Sequence, residues 1–161
     1  MATLDTVDYE IISLLQEDGR RPSVEIAQRI GVSEATVRRR VERLIEQDII
    51  RIAAVSDPLK LGFPVVVIVG LKVERGQLSE AAKALAVLSE VRFLGYTAGR
   101  HDLVFEAWFG SNQQLLEFLS QRLAGIAGIR DVEVSHVLEM VKYTYDWGKG
   151  DIAALAEKAL R

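Results

Sequence analysis

Hydrophobic residues recur every three or four positions through the first fifty residues, and then the rhythm changes. In "LDTVDYEIISLLQED", Leu4, Val7, Ile11, Leu14 and Leu15 share one side of a predicted helix, and Gly19 follows as its stop. "SVEIAQRI" predicts a second, shorter helix. Pro22 and Ser23 are its start signals, Val24, Ala27 and Ile30 its apolar side, and Gly31 its end. A third helix runs through "VSEATVRRRVERLIEQ". Ser33 is its expected N-cap, because the hydroxyl can accept a hydrogen bond from a free amide of the first turn, and Glu34 suits the positive end of the helix dipole. At helical spacing Val37, Val41, Leu44 and Ile45 turn inward. Ala35, Thr36, Arg39 and Arg43 then take the opposite side, with Arg38 and Arg40 on the flanks. Three short helices with only "GVS" between the last two have the form of a helix-turn-helix.

After "DIIRIAAVSDPLKLGFP" the residues become β-branched, and Pro58, Gly62 and Pro64 mark a hinge and a boundary near residue 60. Six elements are predicted beyond it: strand "VVVIVGLKVE", helix "QLSEAAKALAVLSE", strand "VRFLGYTAG", strand "DLVFEAWFG", helix "SNQQLLEFLSQRLAGI" and strand "VEVSHVLEMVKYT". This βαββαβ order is the ferredoxin-like arrangement, so the predicted class is α+β. A weak internal repeat agrees with it, since "ALAVLSEVRFLGYT" and "RLAGIAGIRDVEVS" both pass from a helix end through a small-residue turn into a strand. The tail "DWGKGDIAALAEKALR" reads as a short terminal helix. The first strand is apolar on both faces and must be covered on both; two helices can cover one face and a partner subunit the other, which predicts a homodimer.

Composition narrows the chemistry. With 161 residues, 49% of them hydrophobic and 27% charged, the chain can build one domain or two small ones around a real core. It has no cysteine, which excludes disulfides and thiolate metal sites, and its only histidines, His101 and His136, are far apart in sequence; no metal and no cofactor are expected. "MATLDTVDYEIISLL" has acids where a secretory signal would be basic, and "FPVVVIVGL" is too short to span a bilayer. A soluble cytoplasmic protein with no membrane partner is therefore expected. The sequence shows no paired-carboxylate constellation and no nucleophile elbow, and "GKG" at 148–150 lacks the spacing of a phosphate-binding loop.

Charge is the informative quantity. Lys and Arg number 20 against 23 Asp and Glu, yet four of the twelve residues in "SEATVRRRVERL" are arginine. The plain reading is a solvated face, with Glu42 and Glu46 within helical reach of Arg38, Arg39 and Arg43. Placement on the third helix of a helix-turn-helix, beside Ser33, Glu34, Ala35 and Thr36, favours contact with double-stranded DNA. Thr36 and Arg39 are the candidates for base edges and Arg38, Arg40 and Arg43 for phosphates. For Arg40, which flanks the core side, an intramolecular salt bridge is an almost equal reading. In "TAGRHDLVF", Gly99 supplies backbone freedom, and the plain reading is a hairpin turn with Asp102 bonded to its own loop.

These blocks resemble the Lrp/AsnC, or feast/famine, transcription regulators over nearly the whole chain. The resemblance rests on "LDTVDYEIISLLQEDGRRPSVEIAQRIGVSEATVRRRVERLIEQDIIR", on "DPLKLG" and on "GRHDL". It implies a winged-helix-type DNA-binding domain over residues 1–52, a linker strand over 53–63, and a ligand-binding βαββαβ domain over 64–144, with the tail helix at 145–161. It also implies dimers that assemble further, to tetramers or octamers. Arg20 and Arg21, ahead of the second helix, are candidates for backbone contacts or are plain loop charges. By the resemblance, Gly99, Arg100, His101, Asp102 and Leu103 line a cleft between dimers for an amino acid or related small acid; Ser135 and His136, on the last strand, are further candidates for that cleft, with a structural role the favoured reading for each. Loop amides suit the carboxylate of such an effector and Asp102 its ammonium group. An enzyme of the siroheme decarboxylase type on the same scaffold is the alternative, since "GRHDLVFEAWF" brings a histidine and an arginine together.

Overall fold

Asp5 starts the first helix, α1 (Thr6–Glu17), by a reciprocal capping box: its carboxylate accepts from the Asp8 N–H at 3.0 Å, and Asp8 accepts from the Asp5 N–H at 3.2 Å. α1 ends at Asp18 in extended backbone, and Gly19 is not the left-handed stop that the pattern predicts. The turn is made instead by the Asp18 carboxylate, which accepts the Arg20 N–H at 2.9 Å. α2 (Ser23–Ile30) begins after Pro22 and ends at Gly31 in the left-handed region, φ 74°. α3 (Glu34–Glu46) is capped by Ser33, whose Oγ accepts the Thr36 N–H at 3.2 Å.

Their shared core is Ile11, Ile12, Leu14, Ile26, Ala27, Val37 and Leu44. Val24 and Ile45, both expected inside, are 45% and 43% exposed. Val24 lies about 200° around α2 from Ile26, the residue that enters the core, and Ile45 stands about 100° beyond Leu44, at the edge of the α3 stripe.

The computed structural model describes residues 4–142, of which residues up to Val55, with Lys142, belong to one compact unit and Ser56–Val141 to a second. The predicted tail helix lies outside the described residues. Among the described residues no strand lies between α3 and the next element, so neither a wing nor a linker strand forms within the chain; residues 51–57 have no ladder partner.

The second unit runs β1 (Val65–Val73), α4 (Leu78–Ala86), β2 (Val91–Tyr96), β3 (Leu103–Phe109), α5 (Asn112–Glu117) with a π-helical turn over Phe118–Leu123, and β4 (Ile129–Val137). Sheet order is β2-β3-β1-β4 with every neighbour antiparallel, which is the ferredoxin-like arrangement. Alternation sorts the faces. Val65, Val67, Val69, Leu71 and Val73 pack with Leu103, Phe105, Ala107 and Phe109 against Ala81, Leu85, Phe118 and Leu123 of the helices. The other face carries Val66, Ile68 and Gly70, with Val104, Glu106 and Trp108 opposite them on β3. Ile68 and Phe93, which both face Glu106, are 37% and 58% exposed there.

Candidate DNA-reading helix and effector loop

The four arginines of α3 have separate fates. Arg38 reaches back along the helix to Glu34 at 2.5 Å, in an exposed pair one turn apart. Arg39 is exposed and has no ion-pair partner among the described residues. Arg40 donates from one guanidinium nitrogen to both Asp5 oxygens, at 2.6 and 2.7 Å, and to Asp8 Oδ1 at 3.0 Å. Arg43, expected among the phosphate contacts, instead donates to Asp8 Oδ2 at 2.5 Å.

Asp8 is the centre of this group, with a side chain only 1% exposed. A carboxylate so buried requires compensation, and two guanidinium donors plus the Asp5 amide supply it. The Arg40 hydrogen bonds hold the Asp5 carboxyl below its ordinary range. Two acids at a spacing of three on α1 thus meet two arginines at the same spacing on α3. The matching stagger of Asp5/Asp8 and Arg40/Arg43 is a signal the sequence carries, although neither aspartate stands out by type alone.

At the start of α3, Ser33 Oγ lies 2.8 Å from Thr36 Oγ1. Ala35 is exposed and Thr36 half-buried, one turn ahead of Arg39. Before α2, Arg21 pairs with Glu17 at 3.1 Å, while the Arg20 side chain has no ion-pair partner among the described residues. Arg29 and Arg51 are exposed and likewise without an ion pair among the described residues. Arg29 is hidden in the sequence by Glu25, four residues earlier, which suggests a pair that the structure does not form.

In the second unit, the 99–103 loop is tied to the end of β1. The Asp102 N–H donates to Leu71 O at 2.8 Å, and its Oδ2 accepts the Val73 N–H at 2.9 Å. That backbone donor, with Lys72 Nζ at 3.4 Å from Oδ1, holds the Asp102 carboxyl below its ordinary range. The carboxylate therefore extends the β1/β3 ladder one bond beyond its last pair, Leu71 with Leu103. Gly99 has φ 151°, a conformation that side chains rarely adopt, with open space where a Cβ would stand.

His101 lies flat on β1: a Cβ at Gly70 would come within 2.5 Å of its ring. Its Nε2 is 3.1 Å from Glu133 Oε2, which also accepts from Arg100 at 2.9 Å. Arg100, His101 and Glu133 thus form one cluster on the open face of the sheet, where Glu133 sits opposite Gly70. Glu133 was not among the expected residues, because nothing in β4 alone shows which acid the loop will meet. Leu103 is fully buried in the core and offers a ligand no side chain. Ser135 and His136 cannot both serve this face: Ser135 opposes Ile68 on the open side, while His136 opposes Val67 on the helix side.

A capped helix-turn-helix unit and a ferredoxin-like unit with a polar loop cluster define a protein that joins a DNA-reading module to a ligand-binding one. Comparison with known proteins agrees. Residues 4–45 match the AsnC-type helix-turn-helix domain, and residues 66–147 the Lrp/AsnC ligand binding domain. The chain belongs to the Lrp/AsnC family of transcription regulators. It is 41% identical over 143 residues to an uncharacterised HTH-type transcriptional regulator of Pyrococcus furiosus, covering 88% of this chain and 97% of that one. Escherichia coli AsnC superposes with a TM-score of 0.80 at 26% identity, over 88% of this chain and 97% of its own. A Neisseria meningitidis transcriptional regulator, solved in complex with L-Met, also gives 0.80 at 26% identity, over 89% of this chain and 95% of its own. Among the described residues no helix is long and apolar enough to cross a membrane.

Proposed function

We propose that α3 reads base edges through Arg39 and Thr36, that Ser33, Glu34 and Ala35 bring its N-terminal turn to the DNA, and that Arg38, Arg20 and Arg21 neutralise phosphates. The observation that carries this reading is Arg39, the α3 arginine left without an ion pair among the described residues, one turn beyond the Ser33 cap. Arg40 and Arg43 are assigned to holding the helix rather than to DNA. Arg39→Ala is expected to lower the ratio of affinities for a duplex selected from a random library and a random duplex by about 10- to 100-fold, the size of one lost bidentate base contact. Equal loss on both duplexes removes the assignment.

The effector site is proposed at Arg100, His101 and Glu133, with Gly99 and Asp102 shaping the loop and Ser135 at its edge. An α-amino acid fits this set, since Arg100 suits a carboxylate and Glu133 an ammonium group. The L-Met complex of the Neisseria relative supports the class of ligand. A thermal-shift screen of amino acids and their keto acids tests it, because a ligand that binds only the folded state raises apparent stability. Arg100→Ala is expected to abolish the shift of any hit; an undiminished shift places the effector elsewhere.

The open sheet face, with Ile68 and Phe93 exposed, is proposed as the homodimer surface, and dimers as the unit of larger assemblies. We read the chain as a cytoplasmic regulator without a catalytic step. Tetrapyrrole turnover by the purified protein is the result that overturns this.

A further inference from the structure

The three-helix segment is not basic. Residues 4–55 carry ten acids (Asp5, Asp8, Glu10, Glu17, Asp18, Glu25, Glu34, Glu42, Glu46 and Asp48) against eight arginines, so this segment is net negative by two. Two of the four α3 arginines are spent on contacts to α1 and its cap. Asp5, Asp8, Arg40 and Arg43 form a neutral group of two acids and two bases, and Arg38 is matched by Glu34.

We infer that Asp8, together with Asp5, is a positioning residue that withholds Arg43 and Arg40 from DNA phosphate, so that α3 binds any duplex weakly until base contacts add to its affinity. The inference rests on the proposed reading of DNA by α3. Its geometric basis is that one buried carboxylate engages both arginines, one through each oxygen. Arg40 is held to 21% exposure and Arg43 to 41%, whereas Arg38, paired only along its own helix, keeps 67%. The guanidinium groups of Arg40 and Arg43 point to α1 rather than away from α3.

The energetic basis is the asymmetry between the two kinds of contact. Phosphate contacts add affinity for every sequence alike, through counterion release, whereas base contacts add it only at the right sequence. An arginine moved from phosphate to Asp8 therefore lowers affinity for random DNA without touching base discrimination. The arrangement also costs something, because the Nε atoms of Arg40 and Arg43 are buried without a hydrogen-bond partner among the described residues. A group that existed only for stability is better served by apolar residues of the same volume.

The test uses the full chain, a random duplex and a duplex selected by the wild type from a random library. Asp8→Asn keeps the shape of the side chain and removes its charge. It is expected to steepen the salt dependence of random-duplex binding by about 0.9, in log affinity per log salt, for the release of Arg43, while Arg40 stays on Asp5. Affinity for the random duplex rises at low salt, affinity for the selected duplex rises with it, and the selected-to-random ratio is unchanged. Adding Arg43→Gln to Asp8→Asn is expected to take back about 0.9 of that slope. A folded Asp8→Asn protein, by circular dichroism, whose slope is unchanged or shallower overturns the inference. Should Asp8→Asn fail to fold, Arg43→Gln alone decides: an unchanged slope is expected, and flattening by about 0.9 shows that Arg43 already sits on phosphate and overturns the inference. Arg39→Ala run alongside separates the two claims, since an unchanged selected-to-random ratio in that variant rejects the reading of α3 itself.

Discussion

The two charged clusters of this protein are built from similar residues and behave oppositely. At the α1/α3 contact a carboxylate 1% exposed gathers two arginines into a closed neutral group. On the open sheet face Glu133, 42% exposed, shares one oxygen between Arg100, itself 79% exposed, and His101. Burial decides the difference. In the first cluster loss of an arginine leaves the buried Asp8 carboxylate short of a donor; in the second, both partners are exposed in the single chain and water replaces the missing one at little cost. Counting arginines on a helix therefore overstates its free charge, whereas counting charges on the loop describes fairly what is open to solvent.

Asp8→Ala tests this contrast most severely. Removing one partner of a buried group is expected to destabilise the first unit by about 3–5 kcal/mol, read as an early transition in chemical denaturation of the full chain. Arg100→Ala serves as its counterpart on the loop and leaves the denaturation midpoints within error; comparable losses in both variants erase the distinction.

Gly70→Ala probes how tightly the loop cluster is seated on the sheet. The added methyl meets the His101 ring, and the expected cost is about 1 kcal/mol, at the low end for overpacking because the ring belongs to a loop that can shift. The His101 ring resonances should move with it. Unmoved resonances mean that the ring does not rest on β1.

The smallest effect expected is on acid stability. The Asp5 carboxyl is lowered in the folded chain, first by its hydrogen bond from Arg40. Its contribution is therefore fully present above the unfolded value of about 3.9 and is lost as pH falls through the lower folded value. Half exposure limits it to about 0.5 kcal/mol. Asp5→Asn should leave stability unchanged below that window and reduce it slightly above. A variant that loses stability equally at both ends shows that the cap, not the charge, is what Asp5 supplies.

Local signals carried most of the architecture. Gly31, Ser33 and the apolar spacing announced the helix-turn-helix, and the alternation in β1 and β3 announced a two-faced sheet, because caps and periodicity depend on residues within a turn or two. What was not legible depends on distant partners. Arg40 and Arg43 meet aspartates 32 to 35 residues away. Glu133 reaches His101 across 32. Ser135 and His136 are adjacent in sequence, and only the pairing of β4 with β1 assigns them to opposite faces. The π-helical turn after α5 has no Gly or Pro to mark it in "FLSQRL".

The central position of β1 also governs the order in which the chain acquires structure. Its ladder with β4 joins Val66 to Val137, so the sheet cannot close until nearly the whole second unit has been synthesised. The three helices of the first unit share a core drawn from residues 4–50, and such local contacts form quickly, whereas distant strand pairing is slow. On the ribosome the DNA-reading unit therefore folds first. The apolar β1 strand emerges next and waits through more than sixty residues for its last neighbour, which makes it the segment of the nascent chain with the greatest need of a chaperone.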